Sequence, residues 1–229
     1  MTTTVFIPGL LSDERVWRAV ADKVPGPVVM ADVTRDNTTT GMAVRILEEV
    51  SGDLVVVGHS MGGRVAMEVA HQAPNRVSRL VLANTGHDAL KPGELEKRKA
   101  RIEEGHADLP AMVKKWLPPM VAASRHSDTA LMADLTEMAI ALGPVVHERQ
   151  ITALIDRPDA GVYLPEIACP ILLLTGSEDA WSPEEQHRQM MSMAPDAELH
   201  VVKHGGHFMP VEQPLVVAKL ISDWLSDKY

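Results

Sequence analysis

The sequence predicts an α/β fold on a mostly parallel sheet, and three observations predict it. Short β-branched runs alternate along the chain with helical patterns, as βαβ units do. Those runs are apolar without clean alternation, which is how strands covered on both faces read. One of them, "LVVVGHSMGG" from Leu54 to Gly63, stops in a glycine-rich turn where a helical pattern begins.

The strands are expected at Thr3–Ile7, Pro27–Ala31, Leu54–Val57, Val77–Ala83, Pro170–Thr175 and Glu198–Val202. Helical patterns fall between them at Asp13–Lys23, Thr39–Val50, Gly62–Ala73, Pro183–Met193 and Pro214–Ser226. The rhythm breaks once. From His87 to about Pro165 no strand pattern occurs; "GELEKRKARIEE", "LPAMVKKWLPPMV", "TALMADLTEMAIAL" and "VVHERQITALI" read as successive helices. Gly105, Pro118-Pro119 and Gly143-Pro144 punctuate them. A structureless loop of that length is implausible in a compact domain. The division expected is a core of residues 1–86 and 166–229 with a helical cap over 87–165.

Composition narrows the function. The 229 residues carry a net charge of −9, and the one basic run, "EKRKAR", is flanked by glutamates. Nucleic acid needs an uncompensated basic surface and is not an expected partner. No stretch reaches the ~18 apolar residues of a membrane span, and "MTTTVFIPGLL" has no basic leader. With the single Cys169, these features lead to the expectation of a cytoplasmic protein without disulfides or membrane partner. The 13 Met residues suit irregular apolar pockets.

Gly58-His59-Ser60-Met61-Gly62 matches G-x-S-x-G between a strand and a helix. The reason for the glycines is steric. The serine must occupy a tight, strained turn, and side chains at Gly58 and Gly62 would strike the neighbouring helix and strand. The hydroxyl then stands above the sheet's C-terminal edge, where the next helix points its free N–H groups. Neither G-x-G-x-x-G nor G-x-x-x-x-G-K-[ST] is present, so a phosphate loop is disfavoured. An incidental capping serine is the plainer alternative.

A serine nucleophile needs a base, and the base needs an orienting carboxylate. In this topology the order is Ser, acid, His. Asp179 follows the apolar run "ILLLTG", and His207 follows "ELHVVKHGG". Both therefore sit where parallel strands build sites. Glu178 and Asp88 are lesser candidates for the acid, and His204 competes with His207. His200, His204 and His207 span a strand and a glycine loop rather than one helix face, so no metal site is expected. An oxyanion hole requires two converging N–H groups. Met61 should supply one and Leu10, in "IPGLLSD", the other.

With those residues in place, the chain resembles the α/β-hydrolase superfamily, in particular small bacterial enol-lactonases, carboxylesterases and carbon–carbon bond hydrolases. The resemblance rests on "IPGLLSDERVW", "GHSMGGRVAME", "RVSRLVLANT", "IACPILLLTGSEDAWSP" and "GGHFMPVEQP". It implies an α/β-hydrolase fold of about six mostly parallel strands flanked by helices, with the helical insertion as a cap. It also implies catalytic Ser60, Asp179 and His207, oxyanion donors Leu10 and Met61, and no metal or organic cofactor. The chain starts at what would be the family's third strand, and Pro8 stands where many relatives place a histidine.

The activity expected is cleavage of a small carboxylic ester, of methyl ester or lactone type, through an acyl-enzyme. Carbon–carbon hydrolysis of a vinylogous diketone, or enol-lactonase action, would use the same triad, and a non-catalytic receptor on this fold is the third alternative. Pocket residues are sought among Trp116, Met120, Phe208 and Arg125. Arg125 and His126 are candidates for a substrate carboxylate, and Arg64 faces either cap or solvent. The partner expected is a small-molecule ester, bound by a monomer or homodimer.

Overall fold

A computed structural model describes residues 2–226. Six strands form one sheet: β1 (Thr2–Ile7), β2 (Val28–Met30), β3 (Asp53–His59), β4 (Val77–Ala83), β5 (Ile171–Gly176) and β6 (Ala197–Val202). Their spatial order is β2-β1-β3-β4-β5-β6, and every pairing is parallel. The order reverses at β1 and β3, so the elbow at the end of β3 lies beside the first crossover.

The strands are apolar because both faces are covered. On one face Phe6, Val57, Val81 and Leu172 pack into a cluster with Trp17, Val217 and Ile221. On the other, Val5, Ile7, Val56 and Leu173 meet Met42, Val65 and Met67. Full burial of each such side chain contributes about 1.5–3 kcal/mol. The edge strand β6 alternates between half-exposed and exposed positions until Val202, consistent with cover on one side.

The helices are α1 (Arg18–Ala21), α2 (Thr39–Glu49), α3 (Met61–Gln72), α4 (Glu94–Trp116), α5 (Thr129–Ala141), α6 (Gly143–Ile155), α7 (Glu184–Met193), α8 (Met209–Glu212) and α9 (Pro214–Ser226). Helix α2 starts on Thr38, whose hydroxyl accepts the Gly41 N–H at 3.0 Å. The stretch 13–23 is helical only in pieces, a 3-10 turn at Glu14–Val16 and then α1.

Two helices expected at 93–104 and 109–121 run together as α4, with the break at Asp108 (φ −161°, ψ 87°) instead of Gly105. Gly105 punctuates nothing. It lies inside the helix against α6, where a Cβ would come within 2.4 Å of the His147 ring. The Asp108 carboxylate accepts the Ala111 N–H at 2.9 Å, so the second half begins with its own cap. Gly143 does punctuate: its φ of +77° lets the chain turn from α5 into α6. Helices α4, α5 and α6 all lie between β4 and β5 in the chain, and α4 and α6 contribute residues to the cavity at Ser60. Among the described residues, no single helix is long and apolar enough to cross a membrane.

Candidate active site

The turn from β3 into α3 is strained at one residue. Ser60 has φ +54° and ψ −116°, a region that disfavours any side chain. The glycines around it permit the approach. A Cβ on Gly58 would lie 2.3 Å from the Gly62 carbonyl oxygen, and one on Gly62 would lie 2.3 Å from the Ile7 oxygen. A Cβ on Gly63 would meet the Thr85 side chain at 2.6 Å. Thr85 uses that closeness, since its hydroxyl donates to the Ser60 carbonyl at 2.7 Å.

Two further strand ends deliver the rest. Ser60 Oγ stands 2.8 Å from His207 Nε2, and His207 Nδ1 stands 2.9 Å from Asp179 Oδ2. The carboxylate only accepts, so Nδ1 donates and Nε2 is free to accept the serine proton. Asp179 and His207 are buried. Burial alone would raise the Asp179 carboxyl; the His207 charge and hydrogen bond, with bonds from Asn84 and Ser182, outweigh it and hold the group well below the usual carboxylate range.

The competing residues lie apart. His204 is exposed beside Glu178 at 3.5 Å, and His200 stands 3.9 Å from Glu198. Asp88 pairs with Lys91 at 2.8 Å. Among the described residues, the Leu10 and Met61 N–H groups take no protein acceptor. The next residue, Leu11, has φ +50° and gives its N–H to Gln150 Oε1 at 2.8 Å. Gln150, on α6, thereby pins the loop that carries Leu10.

Ser60 opens on a cavity of about 400 Å³, walled by the sheet edge below and by α4 and its flanks above. Trp116, Met120 and Phe208 line it, with the Trp116 and Phe208 rings edge to face at 6.2 Å. Arg125 does not line it. Its guanidinium is held by Asp128 at 2.7 Å and by the Glu212 carbonyl at 2.5 Å. The expectation that Arg125 meets substrate is therefore corrected. His126 likewise turns its ring to the Pro118 and Val121 carbonyls.

Five cationic residues line the cavity, Lys91, Lys97, Arg98, Arg157 and Arg64, the last one turn into α3. Arg64 donates to the Asp88 carbonyl at 2.8 Å and has no carboxylate partner among the described residues. Burial, then the nearby Arg157 and Arg98 charges, push its pKa down to about 9. Those two arginines share Glu94: Arg157 Nη2 reaches Oε2 at 2.7 Å, and Arg98 Nε reaches Oε1 at 2.7 Å. Glu94 therefore pairs with those two arginines and forms no ion pair with Arg64.

Sequence reasoning passed over several supporting residues. Asn84, at φ +51°, sends its amide to Asp179 Oδ2 at 2.8 Å and to the Gly206 carbonyl at 3.1 Å. Glu212 accepts the Ala122 and Gly206 N–H groups at 2.9 and 3.1 Å. Buried polar residues at strand ends were the available signal.

The chain as a whole resembles known proteins. A 2-succinyl-6-hydroxy-2,4-cyclohexadiene-1-carboxylate synthase from an Enterobacter strain is 26% identical over 96% of this chain and 90% of its own length. A putative synthase of the same name from Bacillus subtilis is 26% identical over 75% of this chain and 65% of its own. A 2-hydroxy-6-oxononadienedioate/2-hydroxy-6-oxononatrienedioate hydrolase from Cupriavidus pinatubonensis is 26% identical over 88% of this chain and 72% of its own. Among solved structures, an esterase from Thermogutta terrifontis has a TM-score of 0.86 at 24% identity, covering 98% of this chain and 89% of that one. The enol-lactonase from Burkholderia xenovorans has a TM-score of 0.88 at 18% identity, covering 99% and 92%. These likenesses agree with a profile of the Alpha/beta hydrolase family that matches residues 4–220, and the chain belongs to that family.

Proposed function

We propose that this protein is a serine hydrolase that cleaves a small carboxylic ester, of methyl ester or lactone type, whose acyl portion carries a negative charge. The observation that carries the reading is the continuous Ser60–His207–Asp179 relay opening on a cavity of about 400 Å³. His207 Nε2 takes the Ser60 proton as Oγ attacks the ester carbonyl. Asp179 holds the imidazole in the Nδ1–H tautomer and stabilises the imidazolium. The Leu10 and Met61 N–H groups receive the oxyanion, where each donor is worth about 10²–10³ in rate. The imidazolium returns its proton to the departing alcohol, and water repeats the sequence on the acyl-enzyme. Arg64 supports the anionic substrate, since a cation without a carboxylate partner at a cavity wall favours an anion.

The second reading keeps the triad and changes the bond: carbon–carbon hydrolysis of a vinylogous diketone, or opening of an enol-lactone. The names of the Cupriavidus hydrolase and the Burkholderia lactonase favour it. The test is labelling with a fluorophosphonate, followed by hydrolysis of methyl esters, lactones and vinylogous diketones with and without a carboxylate. Wild-type protein should be labelled at Ser60, and Ser60→Ala should lose labelling and hydrolysis together. Full hydrolysis by the Ala variant would remove Ser60 from the mechanism.

A further inference from the structure

The residue before Ser60 carries a fully enclosed imidazole. His59 closes β3 and is 1% exposed. Trp17, His207 and Phe208 surround its ring, with centroids at 6.2, 5.3 and 5.6 Å. Its Nε2 lies 2.7 Å from the main-chain carbonyl oxygen of His207. A carbonyl oxygen only accepts, so Nε2 carries the hydrogen.

The other ring nitrogen has no partner. Nδ1 is buried and takes no hydrogen bond among the described residues. It faces the first loop, where a Cβ on Gly9 would come within 3.0 Å of it. Gly9 does not adopt a positive φ, so this glycine answers a close approach rather than a turn. A proton on Nδ1 would create a buried cation with no acceptor, beside a base that itself becomes cationic during turnover. Burial first, and the His207 charge second, push the His59 pKa down to about 3.

The bond closes a ring through the chain. From Ser60 it steps back one residue to His59, crosses to the His207 carbonyl, and returns through the His207 ring to Ser60 Oγ. Other ties on that loop grip different atoms: Met120 accepts the His207 N–H at 2.7 Å, and Asn84 holds the Gly206 carbonyl. Among the described residues, His59 is the side chain that holds the carbonyl of His207 itself.

We propose that His59 is a positioning residue: as a neutral Nε2–H imidazole it fixes the His207 main chain so that the base stays within reach of Ser60 Oγ. This rests on the serine-hydrolase reading. Misplacement of a reacting group by about 1 Å costs on the order of 100-fold in rate, so the tie acts on kcat rather than on substrate affinity.

The experiment compares wild type, His59→Phe and His59→Gln. Phe keeps an aromatic ring and deletes the donor; Gln restores an N–H at similar reach with a different shape. His59→Phe should lose about 10- to 100-fold in kcat and in the rate of fluorophosphonate labelling, with KM within about 2-fold. His59→Gln should recover most of that loss. Wild-type kcat in His59→Phe, or no recovery in His59→Gln, would overturn the proposal. A measurement on the wild type stands apart from variant folding: ¹⁵N NMR at neutral pH should find His59 as the Nε2–H tautomer with Nδ1 bare. A proton on Nδ1 would overturn the proposal as well. Absence of wild-type labelling would count against the serine-hydrolase reading instead, because the tautomer measurement requires no turnover.

Discussion

Replacing Asp179 by Asn changes one atom at the end of the relay, and the surrounding hydrogen bonds dictate the response. Asp179 Oδ1 accepts the Trp181 and Ser182 backbone N–H groups at 2.8 and 3.0 Å. Oδ2 accepts the Asn84 amide at 2.8 Å and His207 Nδ1 at 2.9 Å. The two backbone donors fix the new amide, since its oxygen must take the Oδ1 position. Its NH₂ then faces the Asn84 NH₂ and His207 Nδ1 together. Two donors cannot bond each other, and His207 Nδ1 must become an acceptor. The ring proton moves to Nε2, which then donates toward Ser60 and cannot take its proton. This tautomer exchange costs ~10⁴ in kcat in a serine protease triad, or about 5.5 kcal/mol of barrier. The expected result is a kcat lower by about 10³- to 10⁴-fold with KM within a few fold, measured by steady-state ester hydrolysis on protein whose fold is checked by circular dichroism. A folded Asp179→Asn enzyme that loses less than about tenfold would refute the reasoning.

Three further outcomes are expected. Gly62→Ala places a methyl group against the Ile7 carbonyl, which belongs to a sheet and cannot yield; it should lower stability by about 1–3 kcal/mol in urea titration, and an unchanged midpoint would contradict the close approach. Arg64→Met should raise KM for a carboxylate-bearing ester by about 10- to 100-fold, from the ~1.5–3 kcal/mol of a charged hydrogen bond, and leave a neutral ester within about 2-fold; equal effects on both would separate Arg64 from substrate charge. Glu94 is ordinarily near 4.5 and sits near about 2 in the fold: burial opposes ionisation, but the Arg157 hydrogen bond, the Lys91 N–H and the Arg98 charge outweigh it. A depressed carboxylate contributes stability above its ordinary value and loses it as pH falls toward the folded value. The urea midpoint of the wild type should therefore drop between about pH 4.5 and 2 more steeply than that of Glu94→Gln, and parallel curves would contradict this.

The sheet and the convergence of Ser60, Asp179 and His207 were legible because strand periodicity and glycine placement are local. Each of the three closes or follows a strand, and a parallel sheet gathers such ends at one edge. What was not legible depends on where a long side chain turns. Arg64 heads a polar stripe with Glu68 and Gln72 on α3, and a stripe at that spacing reads the same whether it meets solvent or a cavity. Arg125 looked available because it falls on a short loop, but its acceptors, Asp128 and the carbonyl of Glu212, include one 87 residues away. Nothing local in "NTGHD" marks Asn84, because its partner Asp179 is 95 residues distant. Gly105 read as a helix stop, whereas its reason is the His147 ring of another helix.

The carbonyl of Met120 has a consequence for how molecules enter. It receives the N–H groups of both His207 and Phe208, at 2.7 and 3.3 Å, while Glu212 fastens Ala122 to Gly206. One wall of the roof is thus riveted to the loop that carries the base. Lifting the roof on that side would drag His207 away from Ser60 and switch off the chemistry the visitor came for. Lys91, Gly93 and the exposed Trp181 also line the cavity, and none of them takes part in those ties. Entry past these residues would leave the base undisturbed.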